Sequence, residues 1–355
     1  MSGLAKRALL AGTVIQVLLV AVIFGSLPVR AATSPGTGST LTTSPVSVDL
    51  SAKPGSSAST TLQVQNNGSK ALNITVKLEE FKANGDDGSA QIFVPPPGDV
   101  ATKWVHFSQN TFVAQPGVWN SITMTIQVPK TAGFGYYYAV LFVPNTNTPG
   151  SNTEKIKGAN AILVLLNVNT PNENNTLSVH SYTASKSSYQ YLPVGLNVTV
   201  HNGGNIFTVP SGDIFISRTK NGPTIDTIDI NSGGGNVLPQ SNRAFQVQWT
   251  NGFPAYQLKR INGQIVSDKK GKPVEQLKWD ITKISAFRYG RYYARLVLVY
   301  NDGSRDVAVN GLVSFWVIPW LLLLGLLLFS ALILLGVWTI ARNIIRRTRS
   351  LRKRR

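Results

Sequence analysis

Two stretches decide how this chain is read: "GYYYAVLFVPN", Gly135–Asn145, and "GRYYARLVLVYN", Gly290–Asn301. Each opens on glycine, passes through tyrosines and an alanine into an aliphatic run, and closes on asparagine. In the second, Arg291 and Arg295 share one phase of a two-residue period, while Tyr292, Ala294, Leu296 and Leu298 hold the other. That is the pattern of a strand with one buried face. Laid on the first stretch, the same phase selects Tyr137, Ala139, Leu141 and Val143 as the buried set. The surroundings repeat as well. "LQVQNNGSKALNITV" and "ITMTIQVP" precede the first stretch, and "LNVTVHNGGNIFTVP" and "RAFQVQW" precede the second. Each time a strand ends at Asn-Gly or Asn-Asn-Gly, an alternating strand follows, and a tyrosine-rich strand comes after a glycine. The chain reads as a duplicated module.

The same alternation extends on either side. "ALNITVKL" sets Leu72, Ile74, Val76 and Leu78 against Asn73, Thr75 and Lys77, and "NSITMTIQVP" does the same with Ile122, Met124, Ile126 and Val128. Clusters such as "KPGSS", "NNGSK" and "NGDDGS" break the runs as turns do. Many short strands with Gly, Pro and Asn turns predict an all-β fold: two tandem immunoglobulin-like β-sandwiches followed by a transmembrane helix. The expected divisions are a signal peptide at 1–31, a spacer at 32–43, module one at 44–170, module two at 176–315, the helix at 316–341 and a basic tail at 342–355. "GANAILVLLNVNT", apolar on both faces, fits a last strand of module one that is covered on both sides.

The compartment follows from two apolar segments. Lys6 and Arg7 precede the run Ala8–Leu27, and Val29-Arg30-Ala31 offers small residues at a cleavage site, so the N-terminus reads as a signal peptide. From Val307 to Ala341 there is no charge, and Trp316, Trp320 and Trp338 stand near the two ends of the long apolar run. A helix apolar on every face has no side for water and belongs in a bilayer. The tail carries eight basic residues from Arg342 to Arg355 and no acid, which places it in the cytoplasm and residues from about Ala32 to Phe315 outside. It also accounts for much of the formal +18. The segment between signal and helix is left with a net +7, so a nucleic-acid partner is not expected.

That excess is local. Between Lys259 and Arg295 ten basic residues face three acids, Asp268, Glu275 and Asp280. Lys259, Arg260, Lys269, Lys270, Lys272, Lys278 and Lys283 are candidates for contact with an anionic surface, lipid headgroups or wall polymer. The competing reading is a solvated hairpin whose lysines keep its edges from pairing. No catalytic constellation is legible. His106, His180 and His201 lie in separate strand contexts, and Glu79 and Glu80 are neighbours on a strand, facing opposite ways. "NGDDGS", Asn84–Ser89, offers oxygen ligands but reads first as a hairpin turn. No cofactor, metal or enzymatic activity is expected. With no cysteine in the chain there is no disulfide and no thiolate chemistry.

"VSVDLSAKPGSSASTTLQVQNNGSKALNITV" followed by "QVPKTAGFGYYYAVLFV" resembles the first domain of the WxL-interacting protein family, bacterial surface proteins with two immunoglobulin-like domains, a C-terminal membrane helix and a short basic tail. The resemblance is clearest from Val46 to about Val168. It implies peptidoglycan binding by module one and a partner protein for module two. The insertion "YQLKRINGQIVSDKKGKPVEQLKWDITK" departs from the family, so no binding residue is carried over. The expectation is a non-enzymatic surface scaffold whose partners are the lipid bilayer, peptidoglycan or anionic wall polymer, and another surface protein. An accessory subunit of a membrane complex is the alternative.

Overall fold

The computed structural model describes residues 41–145 and 159–352, with side chains through Arg342. The expected signal peptide, the expected spacer up to residue 40 and residues 146–158 lie outside the described residues, as do the side chains of the expected tail beyond Arg342. Module one contains β1 (Leu41–Ser44), β2 (Ser47–Ala52), β3 (Ser57–Asn66), β4 (Leu72–Asn84), β5 (Ser89–Phe93), β6 (Val105–Phe107), β7 (Thr111–Ala114), β8 (Trp119–Gln127), β9 (Gly135–Pro144) and β10 (Asn160–Val168). One sheet has the order β1-β3-β8-β6 and the other β2-β10-β9-β4-β5, with β7 also on β4.

Module two contains β11 (Leu177–Ala184), β12 (Ser188–Tyr189), β13 (Val194–Asn202), β14 (Ser211–Ser217), β15 (Thr224–Asp229), β16 (Ser241–Trp249), β17 (Ala255–Leu258), β18 (Arg260–Ile261), β19 (Gln264–Ile265), β20 (Glu275–Lys278), β21 (Gly290–Asn301) and β22 (Asp306–Val317), and the helix α1 follows at Trp320–Arg352. Its sheets run β11-β13-β16 and β12-β22-β21-β14-β15. The order repeats that of module one, except that β6 and β7 have no counterpart in these two sheets. In both, the opening strand switches sheets. β2 pairs parallel with β10 after β1 has paired with β3, and β12 pairs parallel with β22 after β11 has paired with β13.

The duplication holds, but the buried phase of its first copy is a correction. In β21, Tyr292, Ala294, Leu296 and Leu298 enter the core of module two as the arginine spacing requires. In β9 the core of module one takes Tyr136, Tyr138, Val140 and Phe142, not Tyr137, Ala139, Leu141 and Val143. The opposite face is apolar because module two covers part of it. Tyr137 and Ala139 join Phe81, Leu163 and Leu165 of module one against Phe207 and Leu238 of module two. This second cluster also explains why β10 is apolar on both faces: Ile162, Val164, Leu166 and Val168 face the module core, while Leu163 and Leu165 meet the neighbouring module. Two polar contacts, Asn236 Nδ2 to Asp49 Oδ1 at 2.9 Å and the Ala244 amide to the Asp86 carbonyl, close the seam.

Two boundaries also shift. β1 starts at Leu41, inside the expected spacer, and Leu41 is itself buried in the core. Trp316 and Val317 belong to β22 and not to the helix, which starts at Trp320 and continues past residue 341 to Arg352. Pro319 supplies the break, since it lacks the amide a further strand pairing would need and suits a first helical turn. The Leu323 amide donates to the Pro319 carbonyl at 3.0 Å, the first bond of that turn. The stretch Trp320–Arg342, 23 residues, is about 34 Å long at 1.5 Å per residue, enough to cross a hydrocarbon core of about 30 Å.

Candidate functional site

The end of module two from which α1 departs gathers the unusual side chains of that module. β22 finishes at Val317, opposite Gly290 at the start of β21 and beside Tyr189 of β12. The segment between β16 and β21 therefore closes at this end as well. It consists of the hairpin β17–β20, paired Ala255 to Lys278, with the small ladder β18–β19 beyond it, and a 3-10 turn at Ile281–Ala286. Asp280 caps that turn, accepting from the Thr282 amide at 3.2 Å and the Thr282 hydroxyl at 2.6 Å. Those two bonds hold its carboxyl below the usual carboxylate range. Ala286 is the turn's buried residue, and its carbonyl accepts from the Phe253 amide at 3.0 Å, which fixes the turn to module two.

The sequence-predicted basic residues all lie on this segment. Arg260, Lys269, Lys270, Lys272, Lys278 and Lys283 are exposed, and Lys259 is half-buried in the hairpin. They divide into two groups. Lys269, Lys270 and Lys272 occupy the turn beyond β19, where Asp268 Oδ1 accepts from the Lys270 and Lys272 amides at 2.8 and 2.9 Å. Lys278 and Lys283 flank the start of the 3-10 turn. Arg288, Arg291 and Arg218 join this second group. Arg218 Nη1 donates to the Tyr289 carbonyl at 2.9 Å and its guanidinium lies 4.8 Å from the Tyr289 ring centre. Arg291 donates to Ser314 Oγ at 2.9 Å.

Sequence reasoning missed the apolar half of the site. Trp279, Ile281 and Ile284 are exposed, the two isoleucines by 74% and 61%. Trp279 leans an edge on Phe253, centroids 5.8 Å apart, yet keeps half its surface open. Next to them Phe287, Tyr289, Trp316 and Ile318 line a hollow whose other wall is Leu322, Leu323 and Leu326 of α1. The available signal was Asp280 as a cap with Ile281 and Ile284 directly after it, three residues apart. Arg218 lies far away in sequence and carried no signal.

A second hollow, of about 220 Å3, lies between the modules, walled by Phe81, Ala90 and Leu163 on one side and Gly235, Asn236 and Arg243 on the other. Arg243 lines it, donating to the Asn236 carbonyl at 2.6 Å with its guanidinium 5.6 Å from the Phe245 ring centre. Its pKa is lowered by burial.

The residues considered for chemistry are scattered. His201 Nδ1 meets Asn242 Oδ1 at 2.8 Å, while His106 and His180 lie on β6 and β11. Glu79 and Glu80 sit next to each other on β4, and burial, with a smaller push from Asp99, raises the Glu80 carboxyl. Asn84–Ser89 forms the β4–β5 turn, where the Ser89 amide donates to Asp87 Oδ1 at 2.9 Å. Among the described residues no three His, Cys, Asp or Glu side chains come together as a metal site would need.

No family model matches the chain, and no curated protein matches it. Among solved structures, the class 5 fimbrial chaperone CfaA is 18% identical and covers 68% of this chain and 99% of its own, with a TM-score of 0.33. The Pseudomonas aeruginosa chaperone CupB2 is 10% identical and covers 76% of this chain and 98% of its own, with a TM-score of 0.31. A PapD-like domain of human CEP192 is 14% identical over 41% of this chain and 98% of its own, with a TM-score of 0.28. At these values the matches carry no argument about ligand or activity.

Proposed function

We propose that this chain is a non-enzymatic binding and scaffold protein of the bacterial cell envelope, held by α1 in the cell membrane, with both modules outside and the tail in the cytoplasm. The observation that carries this reading is continuity. Module one packs on module two through Phe81, Tyr137, Ala139, Leu165 and Phe207, and module two runs from Val317 to the helix start at Trp320 with two residues between. A ligand held by module one would thus be tied to the membrane through packed elements with no long free linker. Peptidoglycan or an anionic wall polymer is the ligand class we assign, on the resemblance of residues 46–168 to the WxL-interacting proteins and on the basic turn Lys269–Lys272.

The test uses the full-length protein in detergent, incubated with purified sacculi, with sacculi stripped of anionic polymer, and with membrane extract. Co-sedimentation with sacculi is the expected result. Retention only by a protein from the membrane extract would replace the scaffold with an accessory subunit of a membrane complex.

A further inference from the structure

We propose that the 3-10 turn Ile281–Ala286, with Trp279, Tyr289 and Trp316 beside it, is a second membrane contact: an apolar knuckle that enters the headgroup and upper acyl region next to α1. The proposal rests on the reading of α1 as a membrane span, and its occupant is the lipid of that same bilayer.

Three observations lead there. The turn is kinked at Lys283 (φ −101°, ψ 20°), with Ile281 and Ile284 on either side of the kink and three residues apart. Both isoleucines are open, at 74% and 61%, while Ala286 is the turn's one buried residue. Two large aliphatic side chains exposed within four residues of chain, with the half-exposed Trp279 just before them, form a patch rather than scattered apolar exposure. Second, the turn leads directly into Phe287 and Tyr289, which line the hollow against Leu322, Leu323 and Leu326. These leucines are in the first two turns of α1, where the apolar run of the span begins. The turn is thereby held at the level at which the bilayer starts. Third, the charges around it suit the anionic face of a membrane. Lys278, Lys283, Arg288, Arg291 and Arg218 surround the patch, and the acid among them, Asp280, is engaged in capping the turn. Aromatic and basic side chains around an aliphatic centre are what an interfacial anchor presents to lipid.

The consequence is orientation. A single helix leaves an ectodomain free to tilt and swivel, while a second contact beside it fixes module two, and through the seam module one, relative to the membrane plane. The basic turn Lys269–Lys272 is a separate feature and is not needed for this contact.

Because the chain has no cysteine, single cysteines can be placed without background. Spin labels on Ile281→Cys, Ile284→Cys, Val94→Cys and Leu328→Cys in the full-length protein, in nanodiscs of phosphatidylglycerol and phosphatidylcholine, report collisions with oxygen and with a water-soluble nickel chelate. Labels at 281 and 284 should meet nickel on the order of tenfold less often than the label at 94, because the chelate is excluded from the apolar layer. Nickel access at 281 and 284 equal to that at 94, with 328 still protected, overturns the knuckle and leaves the spanning helix intact. Nickel access at 328 as well overturns the span, and the knuckle with it.

Discussion

Asn66 and Asn202 make the same three hydrogen bonds in the two modules. Each donates from Nδ2 to the carbonyl four residues later, Lys70 and Ile206, both at 2.8 Å. Each donates again to a carbonyl of a crossing segment, Ala114 and Val237, both at 2.9 Å. Each accepts on Oδ1 from the amide of a glycine two residues on, Gly68 and Gly204, both at 2.8 Å. Both side chains are fully buried. They end β3 and β13, equivalent strands, and hold the loop that follows by satisfying backbone groups it would otherwise leave unpaired.

Removing either side chain takes this partner from two carbonyls and one amide. Asn66→Ala and Asn202→Ala should each cost about 2–4 kcal/mol, and by similar amounts, since each unsatisfied buried group costs about 1–3 kcal/mol. Denaturant unfolding followed by tryptophan fluorescence measures this. A loss under about 1 kcal/mol at either position would show that the asparagines fill space without holding the loops.

The two faces of β9 should separate cleanly. Tyr138→Ala opens the core of module one and should cost about 3–5 kcal/mol. Phe207→Ala, on the other side of the seam from Tyr137, should leave both cores folded and loosen the modules from each other. Spin labels on Val94→Cys and Ile261→Cys, one on each module, would register this as a broader distance distribution than in the unsubstituted seam. An unchanged distribution would mean that the apolar seam does not fix the modules.

Much of this fold was legible, and the misreading of β9 shows where legibility stops. In β21, Arg291 and Arg295 mark the solvent face, so the core phase is unambiguous. In β9 every residue from Tyr136 to Val143 is apolar or aromatic, because one face meets the core and the other is partly covered by module two. With no polar residue to mark a face, the period of two has nothing to act on, and the transferred phase was off by one residue. The repeated Asn-Gly context, by contrast, was a reliable sign of equivalence, since it encodes a local hydrogen-bond pattern and not a choice of face. For the site, the basic residues were visible as composition, whereas the exposed Ile281 and Ile284 look in sequence like ordinary core residues.

Neutralising Lys269, Lys270 and Lys272 together to glutamine should weaken binding of the full-length protein to wall carrying anionic polymer without altering its stability, because all three side chains are exposed. Each lysine close to an anionic surface contributes about 1 kcal/mol, and the contribution is screened by salt over about 8 Å. Binding that is indifferent both to the triple substitution and to half-molar salt would assign these lysines to solubility alone.

The β21–β22 turn provides a pH dependence with a defined sign. Asp302 accepts from the Ser304 hydroxyl at 2.8 Å and from the Ser304 and Arg305 amides at 2.9 Å. These bonds, the Ser304 hydroxyl foremost, lower its carboxyl to about 2. A depressed carboxylate stabilises the turn fully above its ordinary value near 4 and loses that contribution as pH falls through its folded value. The Arg305 amide resonance, in protein labelled on arginine, should therefore titrate with a midpoint near 2, and in Asp302→Asn it should not titrate. A midpoint near 4 would show that the carboxylate does not hold the turn.

Protease added to intact cells and to spheroplasts tests most directly whether the modules lie outside a membrane crossed by α1. The predicted result is loss of both modules, with survival of a fragment that begins near Trp316 and retains the basic C-terminus. Full protection of the modules in spheroplasts, with cleavage of the C-terminal tail, would contradict it.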